Sequence, residues 1–442
     1  MKLRHLCAIG LLAIAAGSVH AGAALCPSPL PAQGAPVRSA APLFPADNWW
    51  NLDIRSAPVD ANSAAYIGFI NNGGNRKLHP DFGGEETPGS VPIYGMPYAV
   101  VDGSQTKAAV TFQYADESDG AGVPFYPIPT QAITQPHWVE GGAPANVDQR
   151  SSSDRHLLMV DCANNHLYEL YNVYYNPTQN RWYAGSGAFF DMNTNNRRPD
   201  GWTSADAAGL AIFPGLVRYD EVYDDSVAEI GHALRVTVRA TNGYVWPASH
   251  RAGSTSGALP MGARLRLKAS VNGVDPVLRT NDPQMRKIFR AMQRHGLIVA
   301  DNGSDLYITG TFDKRWNNDL LNPAFALLAA NDFEVIQLGW NPVAGGPVLA
   351  SLGLSTSRVI GGTPVTGTVT LSAAAPAGGA VVALSSSNTT LVTVPASVTV
   401  AAGNTSATFT ASTRSTRLNK NVTLSASWQG KTVTSVLTVT RR

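Results

Sequence analysis

Aspartate, glutamate and histidine are absent from Val335 to Arg442, where only Lys, Arg and the C-terminus can titrate. Acid/base chemistry is thereby confined to the region ending at Glu334. Cysteine is scarce: Cys7, Cys26 and Cys162 are the whole supply, and no Cys-x-x-Cys-His haem motif can be built from them. The apolar run Leu6 to Ala16 falls short of the roughly 20 residues that a membrane-spanning helix needs. No His-Glu-x-x-His, no Gly-x-Ser-x-Gly and no Gly-x-Gly-x-x-Gly after a strand occurs, so zinc hydrolysis, serine-esterase chemistry and dinucleotide redox lack their fingerprints. Between Ala21 and Val335 the chain carries 24 Lys and Arg against 31 acids, with no basic stripe, which speaks against a nucleic-acid partner.

What is present divides the chain. Lys2 and Arg4, the short apolar run and Val19-His20-Ala21 have the layout of an export signal over residues 1–21, predicting a secreted product, with the periplasm left open. A lipid anchor at Cys26 is the alternative, although Leu25 is a poor match to the small residue that modification prefers. Cys26 and Cys162 then remain as an even pair, predicting a disulfide, with two unpaired thiols as the competing reading. Residues 22–42 form a Pro/Ala-rich leader, 43–342 a functional body, and the Pro/Gly stretch Asn341 to Pro347 a boundary before a module at 348–442.

Short runs rich in β-branched and aromatic residues dominate the body: His166 to Tyr175, Trp182 to Met192, His232 to Arg239, Gly243 to Trp246, Ala263 to Val271, Leu297 to Ala300 and Leu306 to Thr309. Helical spacing is confined to Pro283 to His295, capped by Asn281/Asp282 and stopped by Gly296, and to Asn318 to Ala330, whose stable part is expected from Pro323 onward. The predicted fold is mostly β: a large β-sandwich or jelly-roll-like body with peripheral helices, followed by a second sandwich. In that tail, Val398-Thr399-Val400-Ala401-Ala402-Gly403-Asn404-Thr405-Ser406-Ala407-Thr408-Phe409 resembles the strand, turn and strand of bacterial Ig-like domains. The resemblance implies a C-terminal Ig-like β-sandwich serving as spacer or adhesive module.

Three polar constellations stand out. Arg197 to Gly209, followed by Pro214 to Glu221, sets Asp206 among small residues and offers Arg218 for a carboxylate or hydroxylated ligand; a structural ion pair is the competing reading. Asp116-Glu117-Ser118-Asp119 precedes the aromatic Phe125-Tyr126, a composition suited to sugars, with a solvated turn or a calcium brace as the alternatives. Strand alternation puts Glu169 on the face of Leu167 and Tyr171, where a carboxyl in apolar surroundings acquires a raised pKa. Of His79, His156, His232 and His250, one or two are expected to be functional and the rest satisfied structural groups. Trp138, Trp202 and Trp246 each lie near a polar cluster in sequence, as the walls of a saccharide cleft would, against the default of core packing.

Across residues 48–268 the body also resembles an uncharacterised group of secreted microbial proteins, through Asn48-Trp49-Trp50-Asn51, His79-Pro80-Asp81-Phe82-Gly83, Thr203 to Gly209, Pro214 to Glu221 and Pro260 to Lys268. That resemblance implies no activity and no catalytic residue. From the residues themselves the expectation is a secreted polysaccharide-degrading enzyme, a glycoside hydrolase pairing Glu169 with Asp206 or Glu221. Arg218 and His250 would bind substrate or tune pKa, Trp138, Trp202 and Trp246 would line the cleft, and no cofactor or catalytic metal is required. Two alternatives use the same residues: a non-catalytic glycan-binding or surface protein, and a polysaccharide lyase with a His or Tyr base.

Overall fold

The computed structural model describes residues 26–37, 42–342, 347–375, 379–428 and 431–441, so the predicted export signal, part of the leader and the middle of the boundary segment lie outside the described residues. The chain divides at Trp340/Asn341 into two compact units. The architecture is mostly β, with three sheets in the body, two in the tail and short helices at the periphery of the body.

The central sheet of the body orders its strands Ala32–Gln33, Tyr98–Val101, Leu157–Asp161, His166–Tyr171 and Ser186–Asp191. Its middle strand reads Leu-Leu-Met-Val without polar alternation because both faces are covered. Leu158 and Val160 join the main core, which they share with Leu234, Val236 and Leu297 of a six-stranded sheet. Leu157 and Met159 point the other way, into a second core with Val110, Phe112, Tyr126 and Trp182 of a four-stranded sheet. Adjacent residues of one strand thus serve two cores. The leader is tied to this sheet twice, by Ala32–Gln33 pairing with Tyr98–Val101 and by the Cys26–Cys162 disulfide, whose Cα atoms are 5.4 Å apart.

The six-stranded sheet carries the order Phe333–Val335, Arg264–Leu267, Leu297–Asn302, Leu234–Val238, Tyr307–Thr309, His79–Asp81. Leu234–Val238 runs parallel to Leu297–Asn302, and the register slips between Val236 and Thr237, so that Val236 faces Val299 but Thr237 faces Asp301. Ala300 is the extra residue of a β-bulge, and it turns Asp301 onto the sheet face that Arg235 occupies.

The helix Pro283–Arg294 forms where its periodicity places it: the Asp282 side chain accepts from Met285 N, Pro283 opens it, and Met285, Ile288, Phe289 and Met292 are buried. The second predicted helix is corrected. It spans Asn318–Phe325, capped by the Asn317 side chain, and ends just after Pro323 where it was expected to begin. Ser63–Asn71 is a helix with little amphipathic periodicity, and Gly243 to Trp246 forms only an isolated bridge at Tyr244. The tail is a sandwich of a four- and a five-stranded sheet around its own core, which includes Val369, Val382, Phe409 and Leu424.

Candidate functional site

Arg235 is the centre of the polar interior. Buried on the strand Leu234–Val238, it donates from Nε and Nη2 to the two oxygens of Asp206 at 2.8 Å each and from Nη1 to Thr309 Oγ1 at 2.8 Å. Nη2 also donates to Asp301 Oδ2 at 3.1 Å. Asp206 reaches this position from a loop of small residues. Its N–H donates to Ser204 Oγ, Ser204 Oγ bonds Leu210 O at 2.6 Å, and Ala208 N donates to Ala300 O at the bulge. Gly209 has φ +72°, and a Cβ there would lie 2.0 Å from Ser249 Oγ, so only glycine fits. The loop and the bulge therefore deliver two carboxylates to one guanidinium.

Asp301 and Asp206 both border a cavity, and Asp301 is the more exposed of the two. Its side chain keeps 24 % exposure and lines a cleft of about 460 Å³ together with Tyr114, Glu117, Asp154, Tyr171 and His250. Burial and the neighbouring Asp206 carboxylate raise the Asp301 pKa to about 6, although Arg235 pulls the other way. His250 Nδ1 sits 2.8 Å from Ala207 O, which can only accept, so in the neutral ring Nε2 is left as an acceptor. Among the described residues lining the cleft none is Lys or Arg.

His156 also borders this cleft, buried with Nδ1 2.6 Å from Glu140 Oε2 and Nε2 3.0 Å from Ala205 O. Burial opposes charge on this ring, but the Glu140 carboxylate outweighs it and lifts the pKa to about 9. Both nitrogens are occupied, which makes His156 a brace between Glu140 and the Asp206 loop.

Of the carboxylates singled out from the sequence, Asp206 lies near enough to Glu169 to help raise its pKa, but no two of the three line the same cavity. Glu169 is buried in the main core, where its oxygens accept from Ile212 N and Phe213 N at 2.9–3.0 Å. Burial raises it to about 7, as the strand alternation implied, yet it is not among the residues lining the cleft. Glu221 lies at a different cavity, bonded to the N–H and Nη2 of Arg218 and 3.1 Å from His232 Nε2. Asp206 lines the cleft, but its carboxylate is held by Arg235. Each is spent on an internal partner, because a carboxylate among small and apolar residues folds only when its charge is satisfied.

The aromatic walls are corrected too. Trp138 packs in the second core, Trp246 sits edge-on to Trp49 with centroids 6.3 Å apart, and Trp202 carries the Arg198 guanidinium 5.4 Å from its ring. Tyr114 and Tyr171 line the cleft in their place. The acidic run at Asp116 to Asp119 clamps the loop at 197–206: Arg198 pairs with Asp119 and bonds Glu117 O, and Thr203 N donates to Glu117 Oε2. Among the described residues no group of three or more His, Cys, Asp or Glu is placed to hold a metal. Asp301 was missed. The signal for it is the buried run Leu297-Ile298-Val299-Ala300 breaking into Asp301-Asn302-Gly303 at the carboxyl end of a strand.

No family model matches the chain, and no curated protein matches it. Among solved structures it is similar to a superoxide reductase (neelaredoxin) from Ignicoccus hospitalis over 23 % of this chain and 86 % of that one, at 8 % identity and a TM-score of 0.17, a likeness too low to bear on fold or function.

Proposed function

We propose that this protein is a secreted enzyme that hydrolyses a polysaccharide in the cleft at Asp301. The observation that carries the reading is a single carboxyl, part exposed and raised to about 6, opening on a cavity that also holds Asp154 and Glu117. A carboxyl kept protonated near its working pH can donate to a glycosidic oxygen, and an ionised partner can stabilise or attack the anomeric carbon. In this reading Asp301 is the proton donor, the exposed Asp154 is the partner carboxyl, and Tyr114 and Tyr171 offer ring faces to the sugar. Arg235, itself held by Asp206, positions Asp301. The Cys26–Cys162 disulfide supports an oxidising, extracytoplasmic setting. The C-terminal sandwich, by its likeness to bacterial Ig-like modules, is taken as a spacer. A lyase acting on uronates is disfavoured, since the cleft offers no Lys or Arg among its described lining to neutralise the uronate.

The second reading is a glycan-binding protein without turnover, favoured by the internal engagement of Glu169, Asp206 and Glu221. The two separate on the mature chain incubated with a panel of neutral polysaccharides beside an Asp301→Asn variant. Reducing ends released by the wild type and lost in the variant support hydrolysis; retention of a polysaccharide with no product from either supports binding alone.

A further inference from the structure

The cavity that received Glu221 is separate from the cleft and has chemistry of its own. It measures about 250 Å³ and is lined by Leu43, Phe44, Asn51, Arg218, Val227 and His232, among others. Its polar floor is satisfied almost completely. Glu221 accepts from the N–H and Nη2 of Arg218 and lies 3.1 Å from His232 Nε2, while His232 Nδ1 lies 2.8 Å from Ala233 O. One donor is left over: Arg218 Nη1 is buried with no hydrogen-bond partner, on a side chain only 5 % exposed. A guanidinium nitrogen held dry and unpaired costs stability unless an acceptor enters beside it.

The charge around that nitrogen decides which acceptor. Glu221 already neutralises the guanidinium, and Glu229 adds a second carboxylate at the rim, itself paired with Arg294. An incoming carboxylate would meet the Glu221 carboxylate beside a guanidinium that it already neutralises, whereas a neutral carbonyl oxygen meets no repulsion. Asn51 supplies the complementary atom: its Nδ2 donates to Phe44 O and Pro45 O, and its Oδ1 accepts from none of the described donors. The walls at Leu43, Phe44 and Val227 are apolar. One donor, one acceptor and an apolar wall in a space for a single small unit match an amide with a short apolar end.

We infer that this cavity is a second ligand site that takes an acetamido group, the carbonyl accepting from Arg218 Nη1, the N–H donating to Asn51 Oδ1 and the methyl packing on Leu43, Phe44 and Val227. That the group is carried by an N-acetylated sugar rests on the polysaccharide reading above; the pocket's choice of acetamido over carboxylate does not. The test follows methyl-labelled Leu43 and Val227 by NMR in the mature chain during titration with N-acetylglucosamine, N-methylacetamide, glucose, glucosamine and acetate. Saturable shifts with N-acetylglucosamine are expected, at least ~10-fold weaker with glucose and glucosamine, and absent with acetate. Arg218→Lys is expected to weaken binding about tenfold, and Asp301→Asn to leave it unchanged. A response to N-methylacetamide with none to N-acetylglucosamine keeps the acetamido site and removes the sugar. Wild-type methyl signals that stay still with both amides, or that move equally with glucose, overturn the proposal even if Arg218→Lys does not fold. Loss of hydrolysis in the cleft leaves these outcomes untouched, so the two readings fail separately.

Discussion

Replacing Glu169 by Gln tests the distinction between a carboxyl raised for catalysis and one raised by the core that encloses it. In the folded chain burial lifts this group to about 7, against an ordinary value of 4.5, despite the amides of Ile212 and Phe213 that favour its ionised form. Each pKa unit corresponds to about 1.4 kcal/mol, so the pH-dependent part of its contribution is on the order of 3 kcal/mol. The sign follows from which state holds the proton. Below 4.5 both states are protonated and the stability is fully present; as pH rises through 7 the folded carboxyl must ionise in the core and that stability is lost. Gln cannot ionise and keeps an oxygen for the same two amides. Glu169→Gln should therefore lie within about 1 kcal/mol of wild type at pH 4 and gain on it by on the order of 3 kcal/mol by pH 8. Urea melts at several pH values, read by tryptophan fluorescence, measure the difference, since eight of the nine tryptophans precede Asn341. A stability difference that stays flat between pH 4 and pH 8 would refute the reasoning, and a polysaccharide hydrolysis lost in Glu169→Gln at unchanged stability would return this residue to the chemistry.

Asp301→Asn should lower hydrolysis by roughly 10²–10⁴-fold while leaving the melting temperature near wild type, and wild-type activity should fall as pH rises through about 6, where the donor loses its proton. Gly209→Ala forces a side chain into φ +72° and against Ser249 Oγ and Trp202 O, and should destabilise the body by more than about 1 kcal/mol in denaturant melts while weakening whatever binds the cleft. Reducing the disulfide, or the pair Cys26→Ser and Cys162→Ser, frees a loop of 136 residues and should cost about 2–5 kcal/mol by calorimetry; no change would show that the pairing of Ala32–Gln33 and the burial of Val37 hold the leader without it.

The β-rich body, the Pro283–Arg294 helix, the second sandwich and the cysteine pairing were legible because each writes a local signal: alternation, a capped apolar stripe, a Pro/Gly boundary, a single pair of cysteines beyond residue 21. The site was legible only in part. Glu169 was placed correctly by alternation on the face of Leu167, but alternation does not distinguish a face turned to a cleft from one turned to another sheet. Asp206 and His250 do reach the cleft, carried by the loop of small residues. Arg235 and Asp301 escaped because their meeting depends on a parallel pairing and a one-residue bulge, neither of which has a periodic trace in the chain. Trp138 and Trp246 misled because nearness to a histidine in sequence does not say which packed interior a ring joins.

The slipped register at Ala300 makes the body's chemistry and its architecture separately heritable. One codon inserted between Val236 and Thr237 would restore the regular ladder and rotate Asp301 to the reverse side of the sheet from Arg235, with no core residue replaced. A lineage built on this scaffold can therefore gain or lose the Arg235–Asp301 pair, and with it the carboxyl proposed to act in the cleft, through an indel that substitution-based comparison overlooks.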